Sequence, residues 1–155
     1  MGEENRLSAG FVEEVNPDEL LGKFLNSLGE DAGAVAIFIG RVKGKVGVFR
    51  VFSLSYETAE PHSTQSLEKI AREELEKNSL QGVMIYHKRG EALPGEPVLF
   101  IAVASKARKE AIRVLESTLE RVKHEAYVWK LEKREDGEFW IVGDGMRVPR
   151  QKSKQ

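Results

Sequence analysis

Two lysines, Lys123 and Lys130, flank the point where a long amphipathic pattern gives way to a Trp-bearing strand pattern, in Arg121-Val-Lys-His-Glu-Ala-Tyr-Val-Trp-Lys-Leu-Glu132. Both amines sit beside apolar positions, and a cation held against a hydrophobic wall suits anionic substrates or acyl chemistry. Lys123 stands one turn beyond Leu119, at the margin of the apolar stripe. A lysine in a last helical turn also simply favours the macrodipole and can snorkel to water. Lys130 alternates onto the strand face of Ala126, Val128 and Glu132, with Tyr127, Trp129 and Leu131 on the other. Two readings stay open there: an ion pair with a nearby carboxylate, or an amine whose pKa is tuned by its surroundings.

Two further basic groups could receive an anion. Arg41, Val42 and Lys43 follow an apolar run directly, so the two cationic heads emerge at one edge of a sheet; a solvated loop is the competing reading. Gly44-Lys45-Val46-Gly47 lacks the Gly-Lys-Ser/Thr of a phosphate-binding loop. Ser105-Lys106-Ala107-Arg108-Lys109 opens a helix with cations, where the macrodipole prefers anions. With free backbone N–H groups, Lys106 and Arg108 could make an anion cradle, partly cancelled by Glu110. His62, His87 and His124 show no metal-ligand spacing, and neither a serine nucleophile elbow nor a carboxylate pair is present. No metal and no cofactor are expected.

The bulk composition bounds the rest. With 155 residues the chain suits one domain with a real core. Lys and Arg total 24 against 25 Asp and Glu, a formal net charge of -1, so any anion site must be a local cluster rather than a global field. The absence of cysteine removes disulfides, thiolate catalysis and thiolate metal sites. The N-terminus is polar and no apolar run nears the ~20 residues that span a bilayer, so a soluble, cytoplasmic protein is expected, with neither membrane nor nucleic acid as partner. The 32% of charged residues matches an ion-pair-rich composition of the kind seen in heat-adapted proteins.

The elements that must position these side chains are legible as patterns. Asn16-Pro17-Asp18-Glu19 is a helix start, and Leu20, Leu21, Phe24, Leu25 and Leu28 follow at helical spacing. Residues 33–39 form a short apolar run read as a central strand, and residues 48–56 alternate as a strand. Residues 61–78 make a second helix; residues 82–89 and 97–104 make strands joined through a Pro94-Gly95 turn. Residues 106–124 make a third helix with Ile112, Leu115, Leu119 and Val122 inward, followed by strands around Glu135-Asp136-Gly137. Strand pairs separated by single helices predict an α+β fold with a mixed, mostly antiparallel sheet and three main helices. Residues 1–10 read as a flexible N-terminus, 11–143 as the domain, and 144–155, with Arg147 and Arg150, as a loose basic tail.

Five stretches in register resemble the catalytic (large) subunit of molybdopterin synthase: Gly33-Ala-Val-Ala-Ile-Phe-Ile-Gly-Arg-Val-Lys43, Leu54-Ser-Tyr-Glu57, His87-Lys-Arg-Gly-Glu-Ala-Leu-Pro-Gly-Glu96, Val103-Ala-Ser-Lys-Ala-Arg108, and the segment from Lys123 through Trp129-Lys-Leu-Glu132. The resemblance implies an α/β-hammerhead fold and a homodimer within a heterotetramer, with a small ubiquitin-like sulfur-carrier subunit at each end. It implies a sulfurtransferase: the carrier's C-terminal Gly-Gly thiocarboxylate enters a pocket, and sulfur passes to cyclic pyranopterin monophosphate to give molybdopterin. A Gly-Gly tail suits a narrow channel because it has no side chains, and a phosphorylated pterin needs a cationic bed.

By the same resemblance, Lys123 and Lys130 match the family's two essential lysines. Arg41, Val42, Lys43, Ala107, Arg108, Leu131 and Glu132, with the two lysines, match its substrate-binding segments. The chain departs from the family at Lys43, where Arg is usual, and at Ala107, where His precedes the Arg. The first loses a bidentate fork for phosphate; the second loses a proton-carrying ring. An alternative is therefore a catalytically impaired homologue acting as a carrier-binding module. A third class, a nucleic-acid binder using the tail and the Arg41 loop, would show binding that falls steeply with salt.

Overall fold

In the computed structural model, which describes residues 6–143 and 145–151, the chain order is β1 (Leu7–Val12), α1 (Pro17–Ser27), β2 (Ala34–Arg41), β3 (Lys45–Val46), β4 (Phe49–Thr58), α2 (His62–Lys77), β5 (Gly82–Lys88), β6 (Gly90–Ala92), β7 (Pro97–Ser105), α3 (Arg108–Glu125), β8 (Val128–Arg134), β9 (Gly137–Val142) and β10 (Met146–Pro149). The strands make two sheets. One is four-stranded in the order β1-β5-β7-β2, parallel only between β1 and β5. The other is six-stranded, running β10-β9-β8-β4-β3 with β6 also on β4, and its pairings are antiparallel. The class is α+β with three helices, as the strand-pair pattern predicts.

The core follows from β7. Val98 through Ser105 are all buried, and alternate residues face opposite sides. Leu99, Ile101 and Val103 meet Leu67, Ile70, Leu75, Val114 and Val122 from α2 and α3. Phe100, Ala102 and Ala104 meet Phe24 of α1 and Met84. Burying both faces is why this stretch reads as an unbroken apolar run. A third, smaller cluster of Val42, Val51, Leu54, Tyr56, Ala92 and Val98 joins the two sheets.

Four expectations change. The run in residues 33–39 is an edge strand, β2, not a central one; α1 lies over Met84, Phe100 and Ala102 and leaves Ile37 and Ile39 36% and 44% exposed. Ile112 points outward, because the buried stripe of α3 is Ala111, Val114, Thr118 and Val122. Part of the N-terminal segment read as flexible is β1, whose residues from Leu7 pair with β5. The tail read as loose contains β10, whose Arg147 and Val148 pair with Ile141 and Trp140 of β9. Both of these terminal strands lie at sheet edges, and the short β3 and β6 were likewise not expected from the sequence.

Local signals that name a backbone geometry hold. Asn16 accepts from the Glu19 N–H at 3.2 Å and Pro17 begins α1. The turn at Leu93-Pro94-Gly95-Glu96 closes with the Glu96 N–H donating to Leu93 at 3.0 Å, and Gly95 takes φ +87, where a Cβ is disfavoured. No described helix is long and apolar enough to cross a membrane.

Candidate functional site

The junction between the two sheets holds a cavity of about 460 Å³, and Lys123 and Lys130 both line it. Its floor is one face of the six-stranded sheet. Antiparallel register sets Tyr56 of β4 opposite Lys130 of β8, Lys130 opposite Ile141 of β9, and Ile141 opposite Arg147 of β10. A second row places Leu54 opposite Glu132. Period-two alternation then puts Leu54, Tyr56, Lys130, Glu132 and Ile141 on the same side, and all five line the cavity. The other wall comes from Phe38 to Arg41 on β2, Val98 and Leu99 on β7, His87 on β5, and the last turn of α3 with Val122 and Lys123.

Charge is concentrated here. Among the described residues Arg41, Lys43, Lys123, Lys130 and Arg147 line the cavity against one carboxylate, Glu132, although the chain as a whole is at -1. Glu132 is 3% exposed and already committed: Arg147 donates to it through Nε at 2.8 Å and Nη2 at 3.2 Å, and Arg134 lies 3.5 Å away. Neither Lys123 nor Lys130 is ion-paired to a described carboxylate. Of the two readings open for Lys130, the surroundings among the described residues favour the tuned amine. Burial, and then the neighbouring Lys123, lower its pKa from the ordinary lysine value. Its Nζ stands 5.9 Å from the centre of the Tyr56 ring. Lys123 sits at the negative end of the α3 macrodipole.

His87 lies behind the lysines. It is 2% exposed, packed at 5.1 Å from Phe11 and 4.9 Å from Tyr56 between ring centroids, with Nδ1 2.8 Å from the Lys88 carbonyl. That contact assigns the proton to Nδ1 and leaves Nε2 as an acceptor. Burial foremost, then Lys130, push its pKa down to about 3, with the Lys88 contact opposing. The folded protein therefore binds this proton less tightly than the unfolded chain, where the value is near 6.5. The associated stability is present above pH 6.5 and lost as pH falls towards about 3. One such group sets a slope of up to about 1.4 kcal/mol per pH unit. Urea midpoints measured from pH 7 to pH 4 should fall more gently in His87→Gln than in the wild type; parallel acid limbs would contradict the assignment.

The residues singled out in the sequence divide into three groups. Lys123, Lys130, Arg41, Lys43 and Glu132 converge on the cavity. Arg41 also donates through Nε to the Gly95 carbonyl at 3.2 Å, which anchors the cationic loop on the Pro-Gly turn. Val42 and Leu131 are each 3% exposed and do not line it: Val42 packs in the small cluster between the sheets, and Leu131 faces the opposite side of β8. Ala107 and Arg108 stand at the N-terminal end of α3, about 22 Å along the helix axis from Lys123 at 1.5 Å per residue. Ala107 occupies the N-cap without a side-chain cap bond. Lys106 lines a different hollow with Arg6 and Arg113, so the proposed cradle does not meet the lysine pair within one chain.

Tyr56 and His87 are cavity residues to which the sequence attached no role, and Arg147 is a third that it offered only as a basic tail residue. The first two lie inside quoted motifs, but only strand register shows that they face Lys130. Arg147 was legible as a tail cation alone; in the fold it seals Glu132. Arg150 likewise pairs with Glu138 at 2.9 Å, so the two described tail arginines are spent on carboxylates rather than offered to nucleic acid. Lys152 and Lys154 lie outside the described residues.

Comparison with known proteins identifies the family of the chain. The model of the MoaE protein family matches residues 12–125. The molybdopterin synthase catalytic subunit of Bacillus subtilis is 40% identical over 118 residues, covering 76% of this chain and 74% of that protein. The corresponding Pyrococcus abyssi subunit is 33% identical over 112 residues, covering 72% and 76%. Molybdopterin synthase from Staphylococcus aureus superposes with a TM-score of 0.73 at 27% identity, over 90% of this chain and 98% of that one. A complex of subunits 1 and 2 of the molybdopterin-converting factor from Helicobacter pylori shares the fold, with a TM-score of 0.68 at 20% identity over 94% and 90%. The family model and these relatives, matched over most of the chain, place it in the MoaE family of molybdopterin synthase catalytic subunits.

Proposed function

We propose that the chain transfers sulfur from the C-terminal thiocarboxylate of a small ubiquitin-like carrier to cyclic pyranopterin monophosphate, in the cavity that Lys123 and Lys130 share. The observation that carries this is the cluster, among the described residues, of five cations around one already neutralised carboxylate, in a chain with no net positive charge. Both proposed ligands are anions, a thiocarboxylate and a phosphate ester, and charge-assisted hydrogen bonds to amines and guanidinium groups are the strong kind.

The two amines take different parts. Lys130, buried and with a lowered pKa, releases and takes back a proton more readily than an ordinary lysine, so it serves the reacting centre. Lys123, at the open end of α3, holds charge against the thiocarboxylate or the developing anion. Arg41 and Lys43 at the rim suit the phosphate. A homodimer gives Ala107 and Arg108 a place: lying a helix length from their own lysines, they reach a cavity only as the contribution of a second copy. A small carrier subunit at each end completes the heterotetramer, in keeping with the two-subunit complex of the Helicobacter pylori relative.

The test is to combine the protein with thiocarboxylated carrier and cyclic precursor and to assay the dithiolene product. Product that requires all three components supports the reading. Tight carrier binding with no product would instead identify a carrier-binding module, the outcome that Ala107 and Lys43 would then explain.

A further inference from the structure

Tyr56 is 5% exposed, yet its hydroxyl has no hydrogen-bond partner among the described residues. The hydroxyl is not one of the sealed, orphaned polar atoms of the interior; it lies on a ring that lines the cavity, whereas the Tyr86 hydroxyl is bonded to Ser8. Tyr56 lines the cavity, lies across the strand pair from Lys130, and is held by the edge-on ring of His87 at 4.9 Å and 74°. It belongs to the cluster joining the two sheets, so its ring is fixed by packing rather than free to turn to water.

We propose that the Tyr56 hydroxyl is a substrate-binding group of this cavity, a neutral donor to an anionic oxygen or sulfur of the ligand held beside Lys130. This rests on the sulfur-transfer reading and adds to it a residue that donates without carrying charge. The surroundings suit that part. Burial, then Glu96 and Glu132, hold the phenol's pKa well above its ordinary value, so it keeps its proton at any working pH. Glu96 is ion-paired with Lys88 at 2.9 Å and Glu132 with Arg147, and neither carboxylate is hydrogen-bonded to the hydroxyl. A prepositioned donor needs little reorganisation when the anion arrives.

Two anions have the required chemistry, the carrier's thiocarboxylate and the phosphate of the pterin, and kinetics separates them. Wild type, Tyr56→Phe and Lys130→Ala are assayed for sulfur transfer with each ligand varied in turn. Tyr56→Phe, which deletes only an unpaired hydroxyl, is expected to keep the wild-type Tm and to lower kcat/KM by about 10- to 100-fold, the range for a hydrogen bond to a charged group. A raised KM for carrier alone assigns the contact to the thiocarboxylate, and a raised KM for the pterin alone assigns it to the phosphate. Calorimetric affinities of wild type and Tyr56→Phe for each ligand give the same comparison without turnover. Equal kcat/KM and equal affinities in the two proteins overturn the proposal, as does a loss that only tracks a fallen Tm. Full activity in Tyr56→Phe beside loss in Lys130→Ala would remove Tyr56 and leave the sulfur-transfer reading standing; activity retained in Lys130→Ala would remove that reading instead.

Discussion

Lys130→Ala protein is expected to remain folded and to transfer sulfur at least about 100-fold more slowly than wild type, the scale for losing one preorganised charge-stabilising group. The expectation follows from where the amine stands. Lys130 is fixed on β8 with Tyr56 opposite, Lys123 near enough to lower its pKa, and no described carboxylate paired to it. Lys123→Ala should show a loss of the same kind, and the double variant less than the product of the two, because in the proposed reaction the amines act on one ligand. The sign of the pKa shift gives an independent check through stability. The folded state disfavours the ammonium, so the penalty is absent above the unfolded value near 10.5 and grows as pH falls through it. At neutral pH Lys130→Met should therefore melt higher than wild type, with the gain shrinking towards pH 11. A functional residue that costs stability is common where a site needs a buried charge. Retained turnover in Lys130→Ala, or a lower Tm in Lys130→Met, would count against the assignment.

The second large effect belongs to Glu132. Its carboxylate is buried, takes two hydrogen bonds from Arg147 and lies beside Arg134. Glu132→Ala leaves guanidinium charge against the sheet without its partner, for which about 3–5 kcal/mol of destabilisation is typical. Arg134 softens the loss through its pair with Asp136 at 2.7 Å. The same substitution frees Arg147 inside an already cationic cavity, so the pterin should bind with altered affinity as well as the fold being weaker. Arg147→Ala is the informative comparison. It strands a buried anion in the middle of the proposed anion site, and should weaken binding of both ligands more than it lowers the urea midpoint. Chemical denaturation and ligand calorimetry on the two variants measure this; an Arg147→Ala protein binding both ligands like wild type would contradict the role given to the pair.

How much of this could be read from residues alone depends on the range of the interaction. Signals that fix a backbone angle within a few residues, such as Asn16-Pro17 and Pro94-Gly95, predicted the element ends they mark. The three helices and the α+β class followed from periodicity. Whether a strand is central or at an edge depends on what covers its second face, which is why the apolar 33–39 run misled and β7 was the true centre. Ile112 shows the limit of a stripe drawn by hydrophobicity alone: it is apolar yet 62% exposed, while Thr118 is fully buried. At the site, spacing placed Lys123 and Lys130 on opposite sides of a helix-strand junction, where a shared hollow is one outcome among several. The partners that make it a site come from 74 residues earlier at Tyr56 and 17 later at Arg147, counted from Lys130. Those meetings are set by sheet register, which no local pattern encodes.

The most direct measurement is the structure of this protein bound to the proposed thiocarboxylated carrier and cyclic pterin. The account predicts the carrier's terminal sulfur and the pterin within hydrogen-bond reach of the Lys123 and Lys130 amines, in the hollow between β4, β8 and the end of α3. A carrier tail seated away from that hollow, for example in the separate one that Lys106 and Arg113 line, would contradict it.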